Sequence, residues 1–213
     1  MSAAVSARAG MAFDVALFRD DGPVSRAIGR TLGPRLHVPA MAALTLGPLG
    51  VLALALTAGE DASLGVTAAG VAWLLLTLGI TSARWPKASF RWAVPSLVRL
   101  GEYATLAWLA ATADALPAAF ALLAVLAFRH YDLAYRLRHR GETPPAWLNT
   151  LAAGWDGRVI LAWALLAAGL LPAAMYAWAA LLAVVSVTET VVAWRRFGRG
   201  YGGDFDENDV EGD

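Results

Sequence analysis

The sequence predicts an all-α integral membrane protein with six transmembrane helices, an interfacial amphipathic helix before them, and both termini in the cytoplasm. Three observations carry this. Of 213 residues, 58% are apolar and 16% charged, against about 45–50% and about 25% in an ordinary soluble domain. The apolar residues run in long charge-free stretches, and the basic residues all fall on one side of those stretches. The composition excludes disorder, and the lack of cysteine excludes a disulfide scaffold or a thiolate metal site.

The arm, residues 1–35, has no apolar core of signal-peptide length and carries Asp14, Asp20 and Asp21. Val24, Ile28 and Leu32 share one helical stripe while Arg26 and Arg30 face away, the pattern of a short helix lying on a leaflet. Pro34 ends it. A bilayer core takes about 20 helical residues, so the apolar stretches predict spans at 38–58, 62–82, 94–113, 116–134, 157–171 and 173–194. The third includes Arg99 and Glu102, and Pro172 divides the last two. Short turns follow the first, third and fifth spans at Gly59-Glu60-Asp61, Asp114 to Pro117 and Leu170 to Pro172.

All 17 lysines and arginines lie in the arm, in 84–99, in 129–158 or in the C-terminal segment. The positive-inside rule then makes both termini and both long connections cytoplasmic. Residues 200–213 hold Asp204, Asp206, Glu207, Asp209, Glu211 and Asp213, which repel one another and predict a disordered tail after the 36–199 membrane domain.

An ionisable group inside a span costs about 2.5–3.5 kcal/mol and usually faces a cavity or a partner. Here such groups gather at the cytoplasmic helix ends. Arg99 and Glu102 sit on the third span; Arg129, Asp132 and Arg136 share a face of the fourth, beside His130, Tyr131 and Tyr135; Asp156 and Arg158 open the fifth; Glu189 lies inside the end of the sixth. Taken singly, the i,i+3 and i,i+4 pairs have ordinary salt-bridge spacing. His130 fits a satisfied interfacial histidine, and Arg138, His139 and Arg140 fit headgroup-facing charge. Trp85, Trp92, Trp147, Trp155 and Trp194 fit an interfacial belt.

Taken together, Arg84, Arg99, Arg129, Arg136 and Arg158, with Tyr131 and Tyr135, form a candidate clamp for a phosphate or pyrophosphate through bidentate hydrogen bonds. Glu102, His130, Asp132, Asp156 and Glu189 are the candidates for counter-charge or proton transfer. The expected ligand is an anionic lipid or a nucleotide-diphosphate-linked compound.

Asp21-Gly22-Pro23-Val24-Ser25-Arg26, Arg99-Leu100-Gly101-Glu102-Tyr103, Gly157-Arg158-Val159 and the stretch Thr188 to Arg196 resemble the CDP-alcohol phosphotransferase family, over nearly the whole chain to about Arg199. The chain also resembles an uncharacterised actinobacterial membrane domain found with such enzymes in fused proteins. The first resemblance implies exchange of the CMP of a CDP-linked lipid for another alcohol. Its site is DxxDGxxAR followed by GxxxDxxxD, four aspartates holding two metal ions.

This chain departs from that pattern. Aligned on Ala83-Arg84, Leu76 and Gly79 take the first two aspartate positions and Ile80 the glycine; aligned on Arg99, Val94 and Val98 take the other two, with Phe90 at the second glycine. Between Asp61 and Asp114 the sole acid is Glu102, too little for a two-metal clamp. The expectation is a degenerate member without metal or other cofactor, acting in phospholipid or lipid-phosphate metabolism. The alternatives are a metal-independent enzyme working on a lipid or isoprenoid (pyro)phosphate through Asp132 or Asp156 with His130, and a small transporter or scaffold with Glu102 and Glu189 as pathway residues. Expected partners are membrane lipids, an active CDP-alcohol phosphotransferase, and a second copy packed through Gly65, Ala69 and Ala72; no nucleic acid is expected.

Overall fold

Every regular element is helical among the residues described in the computed structural model, 18–84, 86–140 and 146–201. Expectations placed on residues 1–17, Trp85, the side chains of Arg138, His139 and Arg140, and the tail from 202 lie outside the described residues. In chain order the helices are α1 (Pro23–Thr31), α2 (Ala40–Ala58), α3 (Leu64–Gly79), a 3-10 turn (Ala88–Phe90), α4 (Ala93–Ala111), α5 (Leu116–Arg140), α6 (Ala146–Leu151), α7 (Gly154–Ala167) and α8 (Leu171–Tyr201).

The boundaries follow local chemistry. Pro23 opens α1 and Pro172 is the second residue of α8, where a missing N–H removes a donor that would be unpaired anyway. Pro172 therefore starts the last helix. Ser63 caps α3 by accepting from the Val66 amide at 3.4 Å, and Gly59 ends α2 at φ 64°, a left-handed value that favours glycine.

Three helices are long and apolar enough to cross a membrane: Ala40–Ala58, Leu116–Arg136 and Leu171–Arg195. Only 28%, 33% and 28% of an 18-residue apolar stretch in each is buried within the protein. Leu56, Phe120 and Val184 point outward, so the apolar surface needs lipid to cover it. The other three expected spans correspond to α3, α4 and α7. At 16 and 14 residues α3 and α7 are shorter than a full crossing, and α4 carries Arg99 and Glu102 within it.

Helix α4 is the hub, packing on α2, α3, α5 and α7, while α5 also packs on α8 and α2 on α3. Leu74, Leu78, Val98, Leu106, Leu122, Leu126, Val159 and Met175 fill the space between them. Gly101 allows the close approach of α4 to α3, because a Cβ there would stand 2.6 Å from Leu74 Cδ1. That contact fixes the rotation of α4 and sends the next residue, Glu102, into the interior.

The expected arm helix forms, as α1, and one of its faces is docked on the bundle. Helix α1 packs on α3 and α7 and buries Ser25 and Gly29, leaving Val24 exposed. A Cβ on Gly29 would stand 2.9 Å from the Gly79 carbonyl oxygen. The small residues face the protein, and Ile28 of the apolar stripe covers Gly79. Gly65, Ala69 and Ala72 are exposed on α3; Ala69 and Trp73 line an outward apolar groove with Gly50, Ala53, Leu54 and Thr57 of α2.

Candidate functional site

Four separate parts of the chain converge at one end of the bundle. Helix α4 supplies Arg99, Glu102 and Tyr103, α5 supplies Arg129 and His130, α7 supplies Arg158, and the segment before α1 supplies Asp20. Arg158 is wholly buried and bridges two carboxylates: Nε donates to Glu102 Oε1 at 2.5 Å and Nη2 to Asp20 Oδ2 at 2.9 Å. Its Nη1 donates to the Ala152 carbonyl at 2.7 Å. The other Glu102 oxygen accepts from Arg99 Nη1 at 2.6 Å.

Asp20 Oδ2 also lies 3.4 Å from Arg129 Nη1, 3.8 Å from Arg99 Nη2 and 3.7 Å from His130 Nε2. The Tyr103 hydroxyl is 3.0 Å from His130 Nδ1. Three guanidiniums thus surround two carboxylates, so the cluster keeps one positive charge in excess. Burial by itself would raise the Asp20 carboxyl; the neighbouring cations, Arg158 foremost, outweigh it and hold Asp20 well below the usual carboxylate range.

Asp20 is held in place through the backbone. It sits at φ 54°, a left-handed conformation that aspartate tolerates better than most residues. Its carbonyl accepts from the Trp155 amide at 3.0 Å, and the Trp155 indole donates to Asp21 Oδ1 at 2.7 Å. The other Asp21 oxygen accepts from Arg19 Nε at 2.6 Å. Arg19 in turn caps the end of α3, donating to the Leu78 carbonyl and Thr81 Oγ1.

Asp156, expected as a candidate acid or base, faces the start of α1. Its two oxygens accept from the backbone amides of Gly22 at 2.6 Å and Ser25 at 2.8 Å, placing a negative charge at the start of α1. Gly22 has no room for a side chain, since a Cβ would stand 2.8 Å from the Ala153 carbonyl oxygen. Opposite it, Gly154 is at φ 67°. Beside this junction opens a cavity of about 620 Å³, lined by Asp20, Asp21, Gly22, Arg26, Thr150 and Gly157 among others.

A second cluster lies two turns further along α5. Arg136 pairs with Asp132 at 2.8 Å and Glu189 at 2.6 Å, and Thr190 bridges them by accepting from Arg136 Nη2 at 3.0 Å and donating to Asp132 at 3.1 Å. It joins α5 to α8.

Of the expected clamp, then, Arg99, Arg129 and Arg158 meet, with Glu102 and His130 among them; Arg136, Asp132 and Glu189 form a site of their own. Arg84 turns away to donate to the Leu36 carbonyl at 2.5 Å. Tyr131 is 67% exposed and the Tyr135 ring lies tilted against Trp194 at 5.7 Å; neither lines the clamp. Trp155 is buried in the core and so does not belong to an interfacial belt. Among the described residues no three His, Asp or Glu side chains are grouped to hold a metal ion. Sequence reasoning missed Asp20, Asp21 and Arg19 as site residues. The available signal was a pair of acids directly before Gly22-Pro23, a helix start, in an arm that is basic overall.

The fold and site define a helical membrane protein with a buried arginine–carboxylate cluster tied to its N-terminal arm. The chain belongs to the family of unknown function DUF5941, which matches residues 8–202. No curated protein and no solved structure matches it.

Proposed function

We propose that this chain is a divergent CDP-alcohol phosphotransferase-like membrane protein of lipid-phosphate metabolism, and that Arg99, Arg129 and Arg158 hold the phosphate or diphosphate of its ligand. The observation that carries the reading is the convergence of three guanidiniums, from three helices, on the single carboxylate oxygen of Asp20. Arginine suits such a role because its planar fork matches phosphate oxygens and stays charged when buried. In this reading all six apolar helices cross the bilayer and both termini face the cytoplasm, where the basic residues gather. The chain works beside an active enzyme or as its fused companion.

A second reading, a metal-independent enzyme acting on a lipid or isoprenoid pyrophosphate, draws support from His130, which lies between the Tyr103 hydroxyl at 3.0 Å and Asp20 at 3.7 Å. The Tyr103 hydroxyl is within proton-transfer distance of Nδ1, while Asp20 stands just beyond hydrogen-bond reach of Nε2. Native mass spectrometry of the purified protein tests both readings. A retained phosphorylated lipid or nucleotide that is lost in Arg129→Ala supports the clamp, and retention unchanged in both Arg129→Ala and Arg99→Ala refutes it. Turnover of a lipid pyrophosphate that Tyr103→Phe abolishes would favour the enzyme. Because the chain has no cysteine, single introduced cysteines read the membrane orientation directly.

A further inference from the structure

We infer that Asp20 is the resident anion of the arginine cradle, and that a phosphate-bearing ligand enters by displacing the Asp20 carboxylate and loosening the Asp20–Gly22 turn. This rests on the phosphate reading above and specifies how the site is gated. The geometry is that of a substitute ligand: one carboxylate oxygen stands within 3.8 Å of three guanidiniums. Glu102 is wholly buried and takes a direct hydrogen bond on each oxygen, from Arg99 and from Arg158, so it is a fixed part of the cradle, whereas Asp20 meets the cradle through Oδ2, which accepts from Arg158 at 2.9 Å.

Asp20 differs in three ways. It belongs to the arm and not to a bundle helix; its backbone is in a left-handed conformation; and it lines the cavity of about 620 Å³, whose walls do not include Arg99, Arg129 or Arg158, so the cradle opens to that cavity when the Asp20 carboxylate moves. Replacing one carboxylate charge by a phosphate monoester of about two charges matches the excess positive charge of the cluster. The ligand class is therefore a phosphate monoester or diphosphate, carried by a lipid headgroup or free in water. The arm reports its arrival, because the Asp156 carboxylate that holds the Gly22 and Ser25 amides sits two residues before Arg158.

The test uses the full chain in nanodiscs, with inorganic pyrophosphate in water as one probe and phosphatidic acid against phosphatidylcholine as the other. Asp20→Asn keeps the shape and tolerates the same backbone conformation while removing the competing charge. The expected result is at least about tenfold tighter binding of the effective probe by Asp20→Asn, and, in the wild-type protein, faster deuterium exchange at the Gly22 and Ser25 amides when that probe binds. A response to phosphatidic acid alone assigns a lipid source, and to pyrophosphate alone a free one. Wild-type binding with no change in exchange at those amides, or Asp20→Asn affinity equal to or weaker than wild type, overturns the displacement while leaving the clamp standing. Absence of binding to either probe by both proteins overturns the clamp and the displacement together. Should Asp20→Asn fail to fold, the wild-type exchange measurement decides alone.

Discussion

Arg158 and Glu102 meet at 2.5 Å with both side chains wholly buried, 56 residues apart in sequence. Glu102 also holds Arg99 and Arg158 also holds Asp20, so the pair links α4, α7 and the arm. Removing one member of such a pair strands the other in a low-dielectric interior. Arg158→Ala is expected to cost about 3–5 kcal/mol, read as a lowered unfolding midpoint in detergent. Arg158→Lys should recover little of it, because an ammonium lacks the fork that reaches Glu102, Asp20 and Ala152 at once. Full recovery by lysine would show that charge alone matters at this position.

Gly22 is the contact on which arm docking turns. Gly22→Ala places a methyl against the Ala153 carbonyl and the Asp156 side chain, and overpacking of this kind costs about 1–3 kcal/mol. The arm should detach before the bundle unfolds, since α1 packs on α3 and α7 alone among the larger contacts. Trypsin cleavage at Arg26 measures this: it should accelerate in Gly22→Ala while the global melting temperature falls less.

Asp156→Asn distinguishes an anchor from an acid or base. Both oxygens now accept from backbone amides, and an amide side chain can accept on only one side. The loss is expected at about 1–3 kcal/mol, localised to exchange at the Gly22 and Ser25 amides. A variant with unchanged arm exchange would remove Asp156 from the docking mechanism.

The pH dependence follows from Asp20. Its carboxyl is held below its unfolded value, so the unfolded chain binds more protons in the acidic range. The stabilisation is present above the ordinary aspartate value of about 3.9 and is lost as pH falls below it toward the depressed folded value. Unfolding midpoints should therefore be flat in this respect above about pH 5 and drop below about pH 4, and Asp20→Asn should reduce that acid slope. An unchanged slope in the variant would mean that other carboxylates carry it.

The second cluster separates stability from binding. Arg136→Ala leaves Asp132 and Glu189 facing each other without their cation, whereas Glu189→Gln leaves Arg136 paired with Asp132. The first should lower the unfolding midpoint clearly, by more than the second. Both should leave phosphate binding within about twofold, because the contact to Asp20 runs through α5 only at Arg129 and His130.

The candidate site was only partly legible in the sequence. The spacings of Arg99 with Glu102 and Asp132 with Arg136 announced helix-surface pairs; both form, but with Glu102 and Arg136 buried. Periodicity could not say that Glu102 has a second partner in Arg158, since that depends on how α4 is rotated against α7. Val24, Ile28 and Leu32 formed the visible stripe of α1, yet Ser25 and Gly29 are the buried residues. Close helix approach selects small side chains, and a hydrophobic pattern gives them no weight.

Composition and the sorting of charge determined the membrane class, the helical content and the end of the bundle where ionisable groups collect, because lipid exposure and charge cost are properties of residues in order along a chain. Lipid and protein interior are equally apolar, so the sequence could not distinguish a helix face turned to one from a face turned to the other. Tertiary packing alone decided that Asp20 reaches Arg158 across 138 residues and that Asp156 grips the arm across 134 and 131. A buried charge must find its counter-charge in space, and which one it finds is set by helix rotation and close approach.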